Sequence, residues 1–315
     1  MKRNSINLIV PVYNEEKNIN EFIKEVKPIL NDLTKDWQII FINDGSKDKT
    51  LDKIKEEKDK LIPSEKNKIK IINFSRNFGK ENALTAGLKE VTKDCAIPID
   101  VDLQDPPELI KEMYNIWQKE KEVDVVYAKR TIREGETFFK LLSANLFYKL
   151  MNKLSDFEIP ENVGDFRLID KKVVNELNKL NENNRFMKGL FAFVGYNQKP
   201  IEFIRNKRFA GDSNFNFFKL LNLAVDGITS FSSFPLRLIS YMGILISIFS
   251  FTFGIFVITR TIIDGIDIPG YASTLTVILF LGGIQLIAIG ILGEYIGKIY
   301  TEVKNRPNYF IKEII

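Results

Sequence analysis

The sequence predicts an α/β domain with a mainly parallel sheet, followed by two transmembrane helices. Three observations lead to this prediction. The first 130 residues alternate between apolar runs and charged segments, the composition changes sharply near residue 237, and two long runs without charge follow that point. With 315 residues, the chain is long enough for one large domain or two modest ones.

Five short apolar runs predict the strands of the sheet. They read INLIVPVY, WQIIFIND, IKIINFS, CAIPIDVD and VDVVYAKR. Helix-compatible charged segments separate the first four runs, and another lies between the last two, which is typical of repeated βα units. Each run ends in polar residues, and ligands of such sheets bind at the carboxyl ends of the strands. We therefore expect one polar site along that edge.

Two uncharged runs predict transmembrane helices at about residues 238–259 and 271–293. Each run exceeds the ~18 apolar residues that indicate a membrane span, and a pair of buried core helices is the alternative. The connector carries Asp264 and Asp267 and no lysine, whereas the segments before the first run and after the second are basic. The positive-inside rule then predicts a multi-pass plasma-membrane protein in which residues 1–236 and the tail at 298–315 are cytosolic.

Two other segments, at about residues 138–152 and 215–234, have apolar residues at helical spacing next to lysine. Their aromatic and basic content suits helices that lie at the lipid interface, and ordinary core helices are the alternative. The second span contains small residues that allow close helix packing, either in a homo-oligomer or between the two spans of one chain. These residues are Gly282, Gly283, Gly290, Gly293 and Gly297.

The residue totals exclude several classes of function. The formal net charge of +4 is too small to suggest a nucleic-acid partner. Cys95 is the single cysteine, so an intramolecular disulfide is impossible. The chain has no histidine, which excludes Ser-His-Asp catalysis and zinc sites built on histidine. Any proton transfer must use carboxylates, Lys, Tyr or Cys, or must not be needed.

An acidic stretch, DVDLQDPPE, follows the fourth apolar run. Asp100 and Asp102 alternate along the predicted strand, so both can face the same side, and Gln104 follows within reach. Oxygen ligands without His or Cys suit Mg²⁺ or Mn²⁺, which usually completes its shell with water and substrate phosphate. The alternative is an ordinary strand-to-helix turn whose acids point into water. Beside the other polar strand ends, the stretch indicates a nucleotide-diphosphate site.

Two other phosphate-binding motifs are absent from the sequence. The segment NFGKE has a Gly-Lys pair, but it lacks the earlier glycine and the following Ser or Thr of a Walker loop. No G-x-G-x-x-G follows the first predicted strand either. The acidic stretch is therefore the main pointer to a phosphate ligand.

Eight motifs occur in order along the whole chain: IVPVYNEEKNI, FINDGSKDKT, FSRNFGKENALTAG, DVDLQDPPELI, VGDFRLID, RFAGDS, DGITSFSSFPLRL and GEYIGKIYTEVKNRPNY. Together they resemble the glycosyltransferase family 2 enzymes that act on polyprenyl phosphates, above all the bactoprenol glucosyltransferase branch. Dolichol-phosphate mannosyltransferases are similar in outline. The resemblance implies a GT-A fold, with a Rossmann-like, mainly parallel sheet, in residues 1–236. It also implies a nucleotide-sugar donor, a divalent metal and a lipid phosphate acceptor.

The same resemblance implies a set of site residues. The nucleotide would be bordered by Pro11, Tyr13, Glu15, Asp44 and Asp100. The metal ion, Mg²⁺ or Mn²⁺, would be held by Asp100, Asp102 and Gln104. The phosphates of donor and acceptor would be bound by Arg130, Lys140, Arg167 and Arg208. Asp165 would be a catalytic base, and Asp102 would be catalytic through the metal.

One position departs from the family pattern. The family usually shows two acids in its second motif, whereas this chain has Asn43 followed by Asp44. An amide can still bond a base or ribose, but it contributes no charge. The nucleotide role is therefore carried over to Asp44 alone.

The chemistry agrees with the resemblance. A lipid phosphate is already an anion at neutral pH, so it can attack a sugar without a histidine base. One direct displacement would invert the anomeric carbon, so an α-linked UDP-sugar would give a β-linked lipid product. The branch favours UDP-glucose as donor and undecaprenyl phosphate as acceptor, although no residue in the sequence distinguishes glucose from N-acetylglucosamine.

Two other functions are compatible with parts of the sequence. A processive polysaccharide synthase of the same superfamily would carry a Q-x-x-R-W motif and more spans, but the comparable region reads NNRFMKGL. A catalytically dead membrane adaptor would be expected to lose the metal acids, which are present here. A metal-dependent turnover assay with lipid phosphate separates these readings.

Overall fold

The described residues form an α/β domain around one eight-stranded sheet, followed by two long helices. This computed structural model describes residues 3–131, 160–204 apart from 181 and 184, 229, 232–264 and 270–315. The strands are β1 (Ser5–Val12), β2 (Asp36–Asn43), β3 (Ile69–Phe74), β4 (Cys95–Pro98), β5 (Val125–Arg130), β6 (Val163–Asp170), β7 (Gln198–Phe203) and β8 (Ile311–Ile314). Their order in the sheet is β7-β5-β6-β4-β1-β2-β3-β8.

Eight α-helices accompany these strands in the described ranges. They are α1 (Ile19–Leu33), α2 (Thr50–Asp59), α3 (Lys80–Lys89), α4 (Leu109–Lys119), α5 (Lys171–Leu177), α6 (Met187–Phe193), α7 (Phe234–Asp264) and α8 (Tyr271–Lys304), with a 3-10 turn at Pro63–Lys68. The strands β1, β2, β3 and β4 pair in parallel, as do β5 and β7. Only β6 and β8 pair antiparallel with their described neighbours. The predicted, mainly parallel α/β sheet is therefore confirmed.

Both faces of the sheet are buried, which explains why its strands read as continuous apolar runs. In β1, Leu8 and Val10 belong to a core shared with α1, α2 and α4. Ile9 points to the opposite face and joins a second core with α3, α5 and α6. Because successive strand residues face opposite sides, one apolar run supplies both layers.

Helix α3 lies unusually close to the centre of the sheet. A Cβ atom at Gly87 would lie 2.3 Å from Ile9 Cγ2 and 2.9 Å from Ile42 Cδ1. No larger side chain fits there unless a core residue moves. The approach matters for function because α3 begins at the edge of the sheet where the polar residues gather.

The two long apolar helices, α7 and α8, form a hairpin whose side chains are largely exposed. The segments Phe234–Ile263 and Thr274–Lys304 are long and apolar enough to cross a membrane by length and composition. Neither is buried inside the protein, so the alternative of two core helices is wrong. Both helices extend beyond the predicted runs, since α7 includes Arg237 and Arg260 and α8 includes Glu294.

The chain after α8 returns to the sheet. Strand β8 pairs with β3 in antiparallel fashion and forms one edge of the sheet. Just before it, Tyr309 stacks on Phe74 with ring centroids 4.9 Å apart. At the base of α8, the backbone N–H of Asn183 donates to Glu302 Oε1 at 2.8 Å. The predicted tail at 298–315 thus also ties the apolar hairpin to the α/β domain.

The two predicted amphipathic segments lie mostly outside the described residues. This holds for all of 138–152, and the structure describes only residues 229 and 232–234 of the second segment.

At each of the five glycines predicted to pack in α8, a Cβ atom would meet nothing within 4 Å among the described residues. Packing inside the hairpin therefore does not explain them, and the homo-oligomer stays a prediction.

We expect Gly87→Ala to destabilise the α/β domain by about 1–3 kcal/mol, because the added methyl group overpacks the core. The measurement is thermal unfolding in detergent followed by tryptophan fluorescence. Both tryptophans, Trp37 and Trp117, are buried in this domain and report on it alone. Gly254→Ala in α7 is the control, since a Cβ atom there meets nothing within 4 Å. An unchanged midpoint for Gly87→Ala would contradict the tight packing of α3.

Candidate active site

The site lies at the sheet edge where the parallel strands end. The carboxyl ends of β1, β2, β3 and β4 meet there, as the sequence predicted. Strand β6 runs antiparallel to β4, so its first residues reach the same edge. This direction brings Asp165, near the start of β6, close to the acidic turn that follows β4.

A lysine that the sequence analysis did not select connects these two acids. Lys80 Nζ lies 2.7 Å from Asp100 Oδ1 and 2.9 Å from Asp165 Oδ2. Lys80 is the first residue of α3 and belongs to NFGKE, the segment considered above only as a phosphate loop. The sequence could have indicated Lys80 as a site residue, because it follows shortly after the polar end of the third strand. The sequence could not show that its side chain points toward Asp100 and Asp165, because that direction depends on the fold.

Two members of this cluster, Lys80 and Asp165, have shifted pKa values. Burial would lower the pKa of Lys80, but attraction to Asp100 and Asp165 outweighs it and raises that pKa. Burial would raise the pKa of Asp165, but Lys80 and then Lys188 hold it well below its usual range. Asp165 is therefore ionised at neutral pH.

Two neighbours of Asp165 are shifted mainly by burial. Burial, together with repulsion from Asp165, raises the pKa of Glu81 to about 7. Glu81 Oε2 accepts a hydrogen bond from the backbone N–H of Met187 at 3.1 Å. Burial lowers the pKa of Arg167 to about 10, against the attraction of Asp165, so its guanidinium remains charged.

The acidic turn follows strand β4 and is not part of it. Because β4 ends at Pro98, the expectation that Asp100 and Asp102 alternate along a strand is wrong. The turn places Leu103 at a φ of 56°. Asp102 is 4% exposed, and its Oδ1 accepts the backbone N–H of Gln104 at 3.2 Å. The turn thus keeps the acid and the amide together, although by another geometry than predicted.

The donor chemistry of this turn fits a hard divalent cation. The available ligand atoms are carboxylate and amide oxygens, which Mg²⁺ and Mn²⁺ accept. No group of three or more His, Cys, Asp or Glu side chains in the described ranges is arranged to hold a metal ion by itself. A cation here would thus need water and substrate phosphate to complete its shell, which is the usual situation for Mg²⁺.

Asp44 shapes the loop from which Lys80 projects. Its two carboxylate oxygens accept the backbone N–H groups of Phe78, at 2.6 Å, and Gly79, at 2.9 Å. Burial raises the pKa of Asp44, and these two hydrogen bonds oppose that effect. The same loop passes very close to Gly45, where a Cβ atom would lie 2.3 Å from the backbone of Arg76. The FINDGSKDKT and FSRNFGKENALTAG motifs are therefore in close contact through Asp44 and Gly45.

The remaining predicted nucleotide residues lie at the end of β1. Pro11 is partly exposed within the strand, and Tyr13 is 41% exposed just beyond it. The carboxylate of Glu15 accepts a hydrogen bond from the Asn18 side chain, and its backbone N–H donates to Thr50 Oγ1 at 2.8 Å. These residues share the edge of the site, and their contact with a nucleotide stays a prediction.

The predicted phosphate-binding cations differ in their surroundings. Arg130 Nη2 lies 3.8 Å from Asp105 Oδ1, at the end of β5. Arg167 is buried, donates to the carbonyl of Gly164 at 2.8 Å, and lies over the ring of Phe191. Arg167 therefore has less freedom to meet a ligand than Arg130. Lys140 and Arg208 lie outside the described residues.

Asn43, the residue that departs from the family pattern, takes part in a buried ladder of side chains. Its Nδ2 donates to Asn73 Oδ1 at 2.8 Å, and Asn73 Nδ2 donates to Glu313 Oε1 at 2.9 Å. The ladder joins β2, β3 and β8, so it links the C-terminal strand to the residue next to Asp44. A carboxylate at position 43 could not donate to Asn73, which explains the amide physically.

Comparisons with known proteins define the class of protein. The family model described as "Glycosyl transferase family 2" matches residues 7–177, and the one described as "GtrB C-terminal hairpin" matches residues 234–299. The fold and the acid-lined edge of the sheet are thus those of a GT-A-like glycosyltransferase. The chain belongs to glycosyltransferase family 2.

Relatives cover almost the whole chain. The SfII prophage-derived bactoprenol glucosyl transferase of Shigella flexneri is 48% identical over 311 residues, which are 98% of this chain and 97% of the relative. An uncharacterized glycosyltransferase of Synechocystis sp. is 47% identical over 309 residues, covering 98% of this chain and 95% of the relative. The predicted family and the predicted glycosyltransferase activity are confirmed.

Solved structures are more distant. The structure of glucosyl-3-phosphoglycerate synthase from Mycobacterium tuberculosis with Mn²⁺, UDP-glucose and phosphoglyceric acid matches with a TM-score of 0.46 and 17% sequence identity. The match covers 72% of this chain and 78% of that chain.

We expect Asn43→Asp to destabilise the domain by about 1–3 kcal/mol, since it leaves a buried acceptor without a donor. If the Asn73 side chain rotated so that its NH₂ group donated to the new carboxylate, its amide oxygen would face the carboxylate of Glu313 and repel it. The double variant Asn43→Asp with Glu313→Gln should therefore recover most of the loss. Thermal unfolding followed by tryptophan fluorescence measures all three proteins.

Asn115→Asp, on the exposed face of α4, is the matched control and should leave the midpoint unchanged. A double variant that is no more stable than Asn43→Asp alone would show that the ladder does not couple β2 to β8.

Proposed function

We propose that the protein transfers a sugar from a nucleotide-sugar, UDP-glucose, to undecaprenyl phosphate at the cytosolic face of the plasma membrane. The transfer inverts the anomeric carbon. The product is a lipid-linked sugar that serves as donor for glycosylation of the cell envelope. The names of the relatives, bactoprenol glucosyl transferases, support both the lipid acceptor and the glucosyl group.

One observation carries the proposal. Asp165, the predicted base, and Asp100, the predicted metal and nucleotide residue, both lie within 3 Å of the same Lys80 ammonium group. Residues assigned to the acceptor and to the donor thus belong to one cluster at the sheet edge. A direct displacement needs the two substrates in contact, and this proximity is what such a reaction requires.

The acceptor needs little activation because its phosphate is already an anion. Asp165 is held ionised by Lys80 and Lys188, which weakens it as a base, so its charge suits orienting the attacking group better than taking a proton. Arg130, at the end of β5, is placed to meet a phosphate at this edge. Guanidinium groups suit that task because they bind phosphate through two parallel hydrogen bonds. Arg208 and Lys140 remain predicted partners of the lipid phosphate.

Asp100, Asp102 and Gln104 would hold the divalent cation, Mg²⁺ or Mn²⁺. When bound, such an ion neutralises the charge that develops on the departing diphosphate. Asp102 is the stronger ligand candidate, since it is buried and oriented by its own turn, whereas Asp100 is paired with Lys80. Asp44 contributes indirectly, through the loop whose backbone it binds.

The apolar hairpin supports a lipid acceptor. Helices α7 and α8 are long enough to cross a bilayer, and the tail after α8 returns to the sheet beside the donor-side strands. This connection would hold the site near the membrane surface, where the phosphate of a polyprenyl lipid resides. We assign the α/β domain to the cytosol because basic residues flank both spans and the connector has no lysine.

The test is a panel of radiolabelled UDP-sugars with undecaprenyl phosphate and membranes that contain the protein. We expect metal-dependent formation of a lipid-linked sugar with UDP-glucose. Asp102→Asn should reduce turnover by at least ~100-fold, because it removes the oriented metal ligand. Asp59→Asn, an exposed acid at the far end of α2, is the control and should keep full activity.

Turnover that persists in EDTA, or a fully active Asp102→Asn protein, would contradict the metal assignment. Transfer of another sugar in place of glucose would correct the donor and leave the acceptor assignment intact. Release of a polymer would favour a processive synthase.

The topology is tested separately by cysteine labelling in intact cells. We expect Asp267→Cys to react with an impermeant thiol reagent, because the connector faces outward. The wild-type protein gives the background, since Cys95 is fully buried in β4. Labelling of Lys304→Cys in place of Asp267→Cys would invert the proposed orientation.

A further inference from the structure

We propose that Lys80 is an internal cation that competes with the divalent metal for Asp100, so that the metal binds well only when the donor diphosphate is present. The inference rests on the proposed function, because it takes the metal and the nucleotide-sugar from it. It gives Lys80 of the NFGKE segment a role in metal binding, in addition to its contacts with Asp100 and Asp165 described above.

The geometry of Lys80 is that of a bridge between two acids. Its ammonium nitrogen lies 2.7 and 2.8 Å from the two carboxylate oxygens of Asp100 and 2.9 Å from Asp165 Oδ2. Among the described residues, Lys80 is the only ion-pair partner of Asp100. A metal ion that takes Asp100 as a ligand therefore competes with this ammonium group for the same two oxygens.

The surrounding charges explain why a cation is needed at this position. Glu81, next to Lys80 in the sequence, adds a further acid that repels Asp165, and Asp102 lies two residues after Asp100. Lys188 and Arg167 attract Asp165, and neither forms an ion pair with Asp100 in the described ranges. Without Lys80, Asp100 would therefore have no ion-pair partner among the described residues, and a divalent ion would be attracted to it more strongly.

Lys80 is held where it can change partners. The loop before it is fixed by Asp44, which binds the backbone N–H groups of Phe78 and Gly79. The side chain itself is 44% exposed, and a lysine ammonium group is a compact charge on a flexible stem. It can therefore leave Asp100 and keep Asp165, and the N–H groups released from Asp100 can then bind the incoming anion.

Donor binding would exchange the partners of both cations. A nucleotide-sugar brings a diphosphate with two negative charges to the cluster. Asp100 and Asp102 would then be available to hold the metal beside the diphosphate, and Lys80 would move from Asp100 to a phosphate oxygen. In this exchange Lys80 keeps two charged partners, because a phosphate oxygen replaces Asp100 and Asp165 remains. If the metal bound without the diphosphate, Lys80 would keep Asp165 as its partner and would lose Asp100.

The test measures Mn²⁺ binding by electron paramagnetic resonance on the full chain in detergent, with and without UDP. Lys80→Met removes the charge at similar length, Lys80→Gln is a second neutral variant, and Lys80→Arg retains the charge. Lys89→Met, at the opposite end of α3, is the matched control. Tryptophan fluorescence during thermal unfolding verifies that each variant is folded.

We expect wild-type protein to bind Mn²⁺ at least about tenfold more tightly with UDP than without it, a difference of about 1.4 kcal/mol. Lys80→Met and Lys80→Gln should bind Mn²⁺ about tenfold more tightly than wild type in the absence of UDP, and should lose most of the UDP effect. Lys80→Arg and Lys89→Met should resemble wild type.

Two results would overturn the inference in different ways. If wild-type protein binds Mn²⁺ with UDP but both neutral variants show unchanged or weaker UDP-free binding, Lys80 does not compete with the metal and the proposed function stands. If wild-type protein binds no Mn²⁺ even with saturating UDP, the metal assignment fails, and the inference fails with it.

Discussion

The concentration of acidic side chains at one edge of the sheet is the constraint on which the site depends. Because helices cover both faces of strands β1 to β4, charged groups can lie only where the strands end. Asp44, Asp100, Asp102 and Asp165 all gather there. Like charges at such distances repel one another and need compensation. Lys80 supplies it directly, and the backbone N–H groups of the β3–α3 loop supply it for Asp44.

This compensation also orders the loops of the site. Asp44 is on the β2 side, yet it binds the backbone of the loop after β3, and that loop presents Lys80 to the turn after β4 and to the start of β6. Four separate segments are thereby connected through three acids, Asp44, Asp100 and Asp165, and one lysine, Lys80. The loop backbone is thus fixed by Asp44, while the exposed lysine side chain can exchange one acidic partner for an anionic ligand.

The C-terminal part of the chain connects the apolar hairpin to the sheet. The apolar hairpin leaves the α/β domain and the chain then returns as β8, which pairs with β3. The ladder from Glu313 through Asn73 to Asn43 carries this connection to the residue beside Asp44. The apolar hairpin and the proposed nucleotide-binding edge are therefore connected through one hydrogen-bonded sheet, which would suit the lipid acceptor proposed above.

The sequence by itself determined the α/β class, the two long apolar helices and several of the acids that gather at the sheet edge, because strand periodicity, long uncharged runs and short motifs are local signals. It could not determine which residues meet. Asp165 reaches the acidic turn only because β6 runs antiparallel, and Lys80 is recognised only once α3 is placed against β1 through Gly87. The same holds for β8, whose four residues carry no strong strand signal and form a strand by pairing with β3. Pairing and direction are long-range properties, so only the tertiary structure decided them.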